Sequence, residues 1–200
     1  IATLLSRLSA TRVAYRQISA LMDTPTEGPR GDALHPARLE GAIELRNVGF
    51  RYPGAPERAL DGVNLAIKPG ERVGFLGRVG SGKSTLARLM LGLYEPEEGV
   101  VMIDGIDVRQ YAPAQLRALI GSAMQDNVLI AGSVRQNICL DRAVVDQDEM
   151  IRAAEISGTH RFMGQIANGY DLRLADRGDG LSGGQRQSIA IARALAGSPP

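Results

Sequence analysis

Residues 77–85, GRVGSGKST, constrain this chain more than any other stretch. They fit the spacing G-x-x-x-x-G-K-[ST] at Gly77, Gly82, Lys83 and Ser84. An apolar run (Val73, Phe75, Leu76) comes before them. A helix over about 82–92 with an apolar face (Leu86, Leu89, Met90, Leu93) comes after. Glycines let the backbone bend until successive N–H groups point inward and cradle anionic oxygens. The helix that starts at Gly82 adds its positive end to the cradle. Lys83 brings a mobile charge for the β- and γ-phosphates, and Ser84 a hydroxyl for a Mg²⁺ that keeps most of its waters. A chance glycine-rich turn would match the spacing without this apolar context. Composition sharpens the point. Of 23 basic residues only Lys68 and Lys83 are lysine; the rest are arginine. A compact ammonium differs from a planar guanidinium, and position 83 keeps the former.

The flanking sequence places this unit. Ile1, Leu4, Leu5, Leu8, Tyr15, Ile18 and Met22 recur at helical spacing through 1–24, with arginines between them. Residues 25–41 carry Pro25, Pro29, Pro36 and three glycines, as a linker does. Strands are expected at Ile43–Val48, Val63–Ile67, 73–76, 100–103 and 120–124, with a hairpin turn at Asp104-Gly105. Pro113 starts a short helix. From 133 the pattern is mainly helical, broken by a loop at 168–182. Strands first and helices later, around a strand–loop–helix unit, predict an α/β core with a helical insertion.

Residues 181–185, LSGGQ, open the last helical run. Ser182 and Gln185 make a capping box, which accounts for a helix start but not for Gly183 and Gly184. Each glycine costs a helix up to about 1 kcal/mol against alanine. Two together mark a place where something approaches the backbone closely, and a bare helix N-terminus is a second anion site.

LSGGQ followed by Arg186-Gln187, downstream of GRVGSGKST, resembles the signature of the ABC transporter ATPases, and the resemblance spans 42–200. It implies a P-loop NTPase core of α/β class with an antiparallel β subdomain and a helical subdomain at about 126–186. It implies ATP and Mg²⁺. Gly77, Arg78, Val79, Gly80, Ser81, Gly82, Lys83, Ser84 and Thr85 would surround the phosphates. In this family the signature of one subunit reaches the γ-phosphate held by the other, so Ser182, Gly183, Gly184 and Gln185 would act in trans within a homodimer. Tyr52, in FRYP, resembles the aromatic residue that stacks on adenine. Gln125 resembles the glutamine that touches Mg²⁺ and the attacking water. Lys83 and Gln125 are thus the catalytic candidates, and Ser84 and Gln125 the metal candidates.

LADRGDG resembles a family loop that usually carries Glu; Asp176 stands there, and Met124 replaces the usual Pro before the glutamine. These departures touch coupling to a membrane domain, not ATP binding. His35 and His160 match no family position and read as ordinary linker and helix-surface residues. The family's second nucleotide motif, an apolar strand ending in Asp-Glu, and its late His are expected after residue 200, so these 200 residues are expected to bind nucleotide weakly without turning it over.

Residues 1–24 resemble the cytoplasmic end of the last membrane helix in exporters that join membrane and ATPase parts, and TLLSRLSATRVAYRQISALMDTP and DRGDGLSGGQRQ look most like type I secretion exporters, which move proteins or peptides out of bacteria. That implies a bacterial protein at the cytoplasmic face of the inner membrane, with its own membrane domain and further secretion components as partners. Lipid or drug exporters and soluble ABC ATPases are the alternatives. The remaining composition is consistent with this. A net charge of +1 gives no reason to expect nucleic acid. A single Cys139 leaves no internal disulfide and fits a reducing compartment.

Overall fold

In β1 (Ile43–Phe50), Leu45 and Val48 stand three residues apart, a spacing that on a regular strand sends them to opposite faces. Both are buried. The pairing shifts register between them, and Asn47 takes the left-handed conformation at φ 49°. This bulge inserts one residue and returns Val48 to the core side. Asparagine tolerates that conformation better than most residues. β2 (Leu60–Ile67) and β3 (Glu98–Ile103) flank β1 antiparallel, and β4 (Ile106–Asp107) adds an edge, giving the order β2-β1-β3-β4. Asp104 and Gly105, at φ 51° and 76°, turn β3 into β4 as the sequence predicts. The Asp104 carboxylate accepts the backbone N–H groups of Glu40, Gly41 and Ala42 at 2.8–3.0 Å, which fixes where the chain enters β1.

The computed structural model describes residues 2–23, 27, 33–125, 128–140, 145–166 and 168–200, with side chains from residue 11 onward. Part of the expected linker, residues 25, 26 and 28–32, lies outside them, as do 126–127 within the expected helical subdomain. α1 (Ala2–Met22) is helical, and its Val13, Tyr15, Ile18, Leu21 and Met22 are exposed. No described helix is long and apolar enough to cross a membrane.

α2 (Lys83–Met90) presents Leu86 and Leu89 to the sheet, where they join Leu45, Val101, Ile103 and Leu116 in one core. Leu116 belongs to α3 (Pro113–Leu119), which begins with its proline in the first turn. Two expectations fail here. Residues 73–76 and 120–124 form no strand; among the described residues no neighbouring strand pairs with either run. An extended segment becomes a strand only when a partner takes up its N–H and C=O groups. Leu76 is accordingly fully exposed instead of buried ahead of the loop.

A second core collects the rest. α4 (Val134–Cys139), α5 (Gln147–Ile156), α6 (Thr159–Met163) and α7 (Gly183–Leu195) bury Val134, Ile138, Met150, Met163 and Ile189 together. A small antiparallel pair, β5 (Gly132–Ser133) with β6 (Arg173–Leu174), closes one side.

At the centre of this cluster is a fully buried polar residue, Asn137. Its amide nitrogen donates to the carbonyls of Ile130 and Ser133 at 2.9 and 3.0 Å. Its amide oxygen accepts the Ile130 N–H and the Arg193 guanidinium, each at 2.9 Å. Arg193 also donates to the carbonyls of Asn137 and Val128. One side chain thus ties the segment after Gln125 to α4 and α7. Replacing it by an apolar isostere strands buried donors and acceptors, each worth about 1–3 kcal/mol. Asn137→Leu is expected to destabilise the fold by about 2–4 kcal/mol, read as a lowered midpoint of denaturant unfolding. A loss below about 0.5 kcal/mol would mean that water takes over the freed groups.

Candidate functional site

The loop at 77–82 closes on itself around Lys83. The Lys83 ammonium donates to the carbonyls of Gly77 at 2.8 Å and Arg78 at 2.7 Å, and to the Ser81 hydroxyl at 3.1 Å. Three acceptors converging on one nitrogen suit an ammonium, whose three protons spread around a point; a guanidinium presents a flat fork. Gly82 caps α2 at φ 84°, and a Cβ there would sit 2.6 Å from a Leu60 methyl and 2.7 Å from the Ala59 carbonyl. Any side chain at this position meets both backbone strain and a clash with the start of β2. Gly82 offers no side-chain cap, and the first turn of α2 carries no acid. Its leading amides are therefore left without a side-chain cap, and the positive end of the helix has no acid to offset it, as an anion site requires. Arg78, Val79, Gly80 and Ser81 form the exposed crest of the loop.

Lys83, Ser84 and Gln125 line one open cleft of about 830 Å³ between the sheet core and the end of α7. The structure thus brings Gln125 to Lys83 and Ser84, some forty positions before it in sequence. No carboxylate lines the cleft among the described residues. The side-chain oxygens on offer to a cation are the hydroxyls of Ser84 and Ser122 and the neutral amide of Gln125, and no described group of His, Cys, Asp and Glu could hold a metal by itself. That donor set fits Mg²⁺ arriving with phosphate oxygens and water, and does not fit an ion held by protein alone.

Tyr52 sits beside α2 and is partly buried. Phe50 and Tyr94 meet its ring nearly perpendicular, with centroids 5.0 and 5.3 Å away. Its hydroxyl shares a hydrogen bond with Thr85 Oγ1 at 3.0 Å and accepts one from Arg88 at 2.9 Å. Burial alone would raise the Tyr52 phenol, but the bonds with Thr85 and Arg88 and the Arg88 charge outweigh it and hold it below the usual tyrosine value. Sequence reasoning passed over Arg88. The readable signal is its place three residues after Thr85, on the same face of α2.

The second phosphate-type element is built as expected but stands elsewhere. Ser182 caps α7: its hydroxyl accepts the Gln185 N–H at 3.2 Å, and the Gln185 side-chain oxygen accepts the Ser182 N–H at 2.8 Å. The N–H groups of Gly183 and Gly184 have no acceptor among the described residues, and both glycines are exposed. Apart from the chain neighbours and the helix's own backbone, no described atom lies within 4 Å of a Cβ built on either, and neither has a positive φ. Nothing among the described residues demands glycine there. None of residues 181–185 lines the cleft at Lys83, and α7 packs into the second core, not the first. Asp176 is exposed in a short turn before the signature, and His160 pairs with the Tyr170 hydroxyl at 2.8 Å on the surface.

Known proteins resemble this chain over most of its length. The sequence pattern of the ABC transporter family matches residues 60–200. The chain is 44% identical over 188 residues to the leukotoxin translocation ATP-binding protein LktB of Mannheimia glucosida, covering 94% of this chain and 26% of that protein. It is 43% identical over the same length to the Toxin RTX-I translocation ATP-binding protein of Actinobacillus pleuropneumoniae. The chain spans about a quarter of the length of these curated relatives. Among solved structures, a bacterial Atm1-family ABC exporter with ATP bound superposes with a TM-score of 0.81 at 34% identity, over 94% of this chain and 33% of that one.

Proposed function

Because the chain belongs to the ABC transporter family, we propose that it is the ATP-binding cassette of a bacterial exporter that drives a protein substrate across the inner membrane. The nucleotide sits with its phosphates on residues 77–85 and its adenine against Tyr52. Ser182, Gly183, Gly184 and Gln185 of a second copy close the site from the other side. One observation carries this reading: Gly183 and Gly184 are glycine although this chain leaves open space around both. A side chain is absent where no described residue needs the room, which supports an approach by a partner. Their outward amides then complete an anion site that begins at the helix end of the partner.

The chemistry follows from position. Lys83 leaves its loop carbonyls, or shares its protons with them, to meet the β- and γ-phosphates. Ser84 and Gln125 would hold Mg²⁺, and Gln125 would orient the attacking water. The ion would supply neutralising charge to the phosphate oxygens. The two sets of helix-end amides are fixed before the reaction and need not reorganise, and Lys83 adds its charge to them. The family and the toxin-translocating relatives support the exporter assignment. The exposed apolar side chains of α1 support a junction with a membrane domain in the full-length protein, which would place the cassette at the cytoplasmic face.

Removing the ion tests the catalytic part. In the full-length protein, excess chelator should lower phosphate release by at least about 100-fold, while ATP binding to the loop weakens far less. Hydrolysis that continues undiminished without divalent cation would contradict the assignment of Ser84 and Gln125.

A further inference from the structure

We infer that Arg88 and Thr85 are positioning residues for the nucleotide base: by holding the Tyr52 hydroxyl they set the base platform at a fixed place relative to the phosphate loop. This rests on the proposed stacking of adenine on Tyr52. A tyrosine ring turns about two bonds and is useful as a platform only if its plane is held. Phe50 and Tyr94 pack nearly perpendicular to the ring and help to fix its plane. The far end is held by α2, through Thr85 in the first turn and Arg88 in the second, at 3.0 and 2.9 Å. The same helix begins at Lys83, so platform and cradle are parts of one rigid element and not two loops placed independently.

Packing alone does not require the hydroxyl, since Phe50 serves the same cluster without one. Thr85 is buried, and the bond to Tyr52 is what its hydroxyl makes in that setting. Arg88 also lines the cleft at Lys83, so its charge could instead act on phosphate directly. The two roles separate by ligand. A positioning role affects ligands that carry a base, whereas a phosphate contact affects any polyphosphate.

The experiment measures binding of ATP and of inorganic tripolyphosphate by calorimetry to the full-length protein, wild type and variant. Tyr52→Phe and Arg88→Met should each weaken ATP about 5- to 10-fold, less than a whole charge-assisted hydrogen bond because the bond lost holds the platform and does not touch the ligand. The double variant should lose no more than either single one, because both act through one hydroxyl. Tripolyphosphate should stay within about twofold throughout, and Arg88→Lys should recover part of the ATP affinity. Unchanged ATP affinity in Tyr52→Phe would overturn the inference. So would a parallel loss of tripolyphosphate in Arg88→Met, or losses that simply add. A wild-type protein that binds tripolyphosphate as tightly as ATP would instead refute stacking at Tyr52, and one that binds neither would refute the phosphate site.

Discussion

Lys83→Ala should reduce ATP affinity by roughly 100-fold or more and abolish hydrolysis. Hydrogen bonds to charged groups contribute about 1.5–3 kcal/mol each, and the ammonium is placed to make more than one to the phosphates. It is also the tie that draws Gly77, Arg78 and Ser81 together, so its loss opens the cradle as well as removing a charge. The two effects separate with Lys83→Arg, which keeps the charge. The guanidinium is longer and flat, and it has no way to direct protons at three acceptors spaced around a point. We expect at least about a tenfold loss of affinity in Lys83→Arg. An arginine variant with wild-type affinity would show that position 83 supplies charge alone and that the closed loop geometry is incidental. Binding of a fluorescent ATP analogue measures both variants directly.

The second large effect runs opposite to stability. Gly184→Leu replaces a helix residue that has open space around its missing side chain. Leucine favours a helix over glycine by up to about 1 kcal/mol, so the folded chain should be as stable as before or more so. ATP binding to the loop of the same chain should be retained. ATP-driven association of two cassettes, and with it hydrolysis, should fall by about 100-fold or more, because the new side chain occupies the approach that the partner's triphosphate needs and covers the amides that meet it. A variant that loses activity by unfolding would show a lowered melting point, which the open surroundings of Gly184 argue against. Hydrolysis within a few-fold of wild type would mean that these glycines serve nothing outside the chain.

Much of this arrangement was readable before any coordinates. The β2 segment follows from alternating Val63, Leu65 and Ile67, β1 and β3 from apolar residues within 43–48 and 100–103, the Asp104-Gly105 turn from residues that accept positive φ, and the start of α3 from Pro113. The phosphate loop and the Ser182–Gln185 capping box were legible because each needs particular residue types at fixed short spacing. What stayed hidden depends on distant neighbours. Apolar content at 73–76 and 120–124 reads as strand, but a ladder requires a partner that local sequence does not reveal. The bulge at Asn47 was invisible because it follows from the demand that Leu45 and Val48 share a face. Tyr52 reads as an aromatic face, whereas the structure turns as much on its hydroxyl, held by residues more than thirty positions away. Asn137 gives no signal by itself; its role exists only once Ile130, Ser133 and Arg193 converge on it.

The central claim is that each nucleotide lies between the phosphate loop of one copy and the signature helix of another. A structure of the full-length protein with Mg²⁺ and a non-hydrolysable ATP analogue tests it most directly. The account predicts the γ-phosphate within hydrogen-bonding distance of Lys83 in one subunit and of the amides at Gly183 and Gly184 in the other. A nucleotide capped by the signature of its own chain, or bound at residues 77–85 with no signature residue near it, would contradict that account.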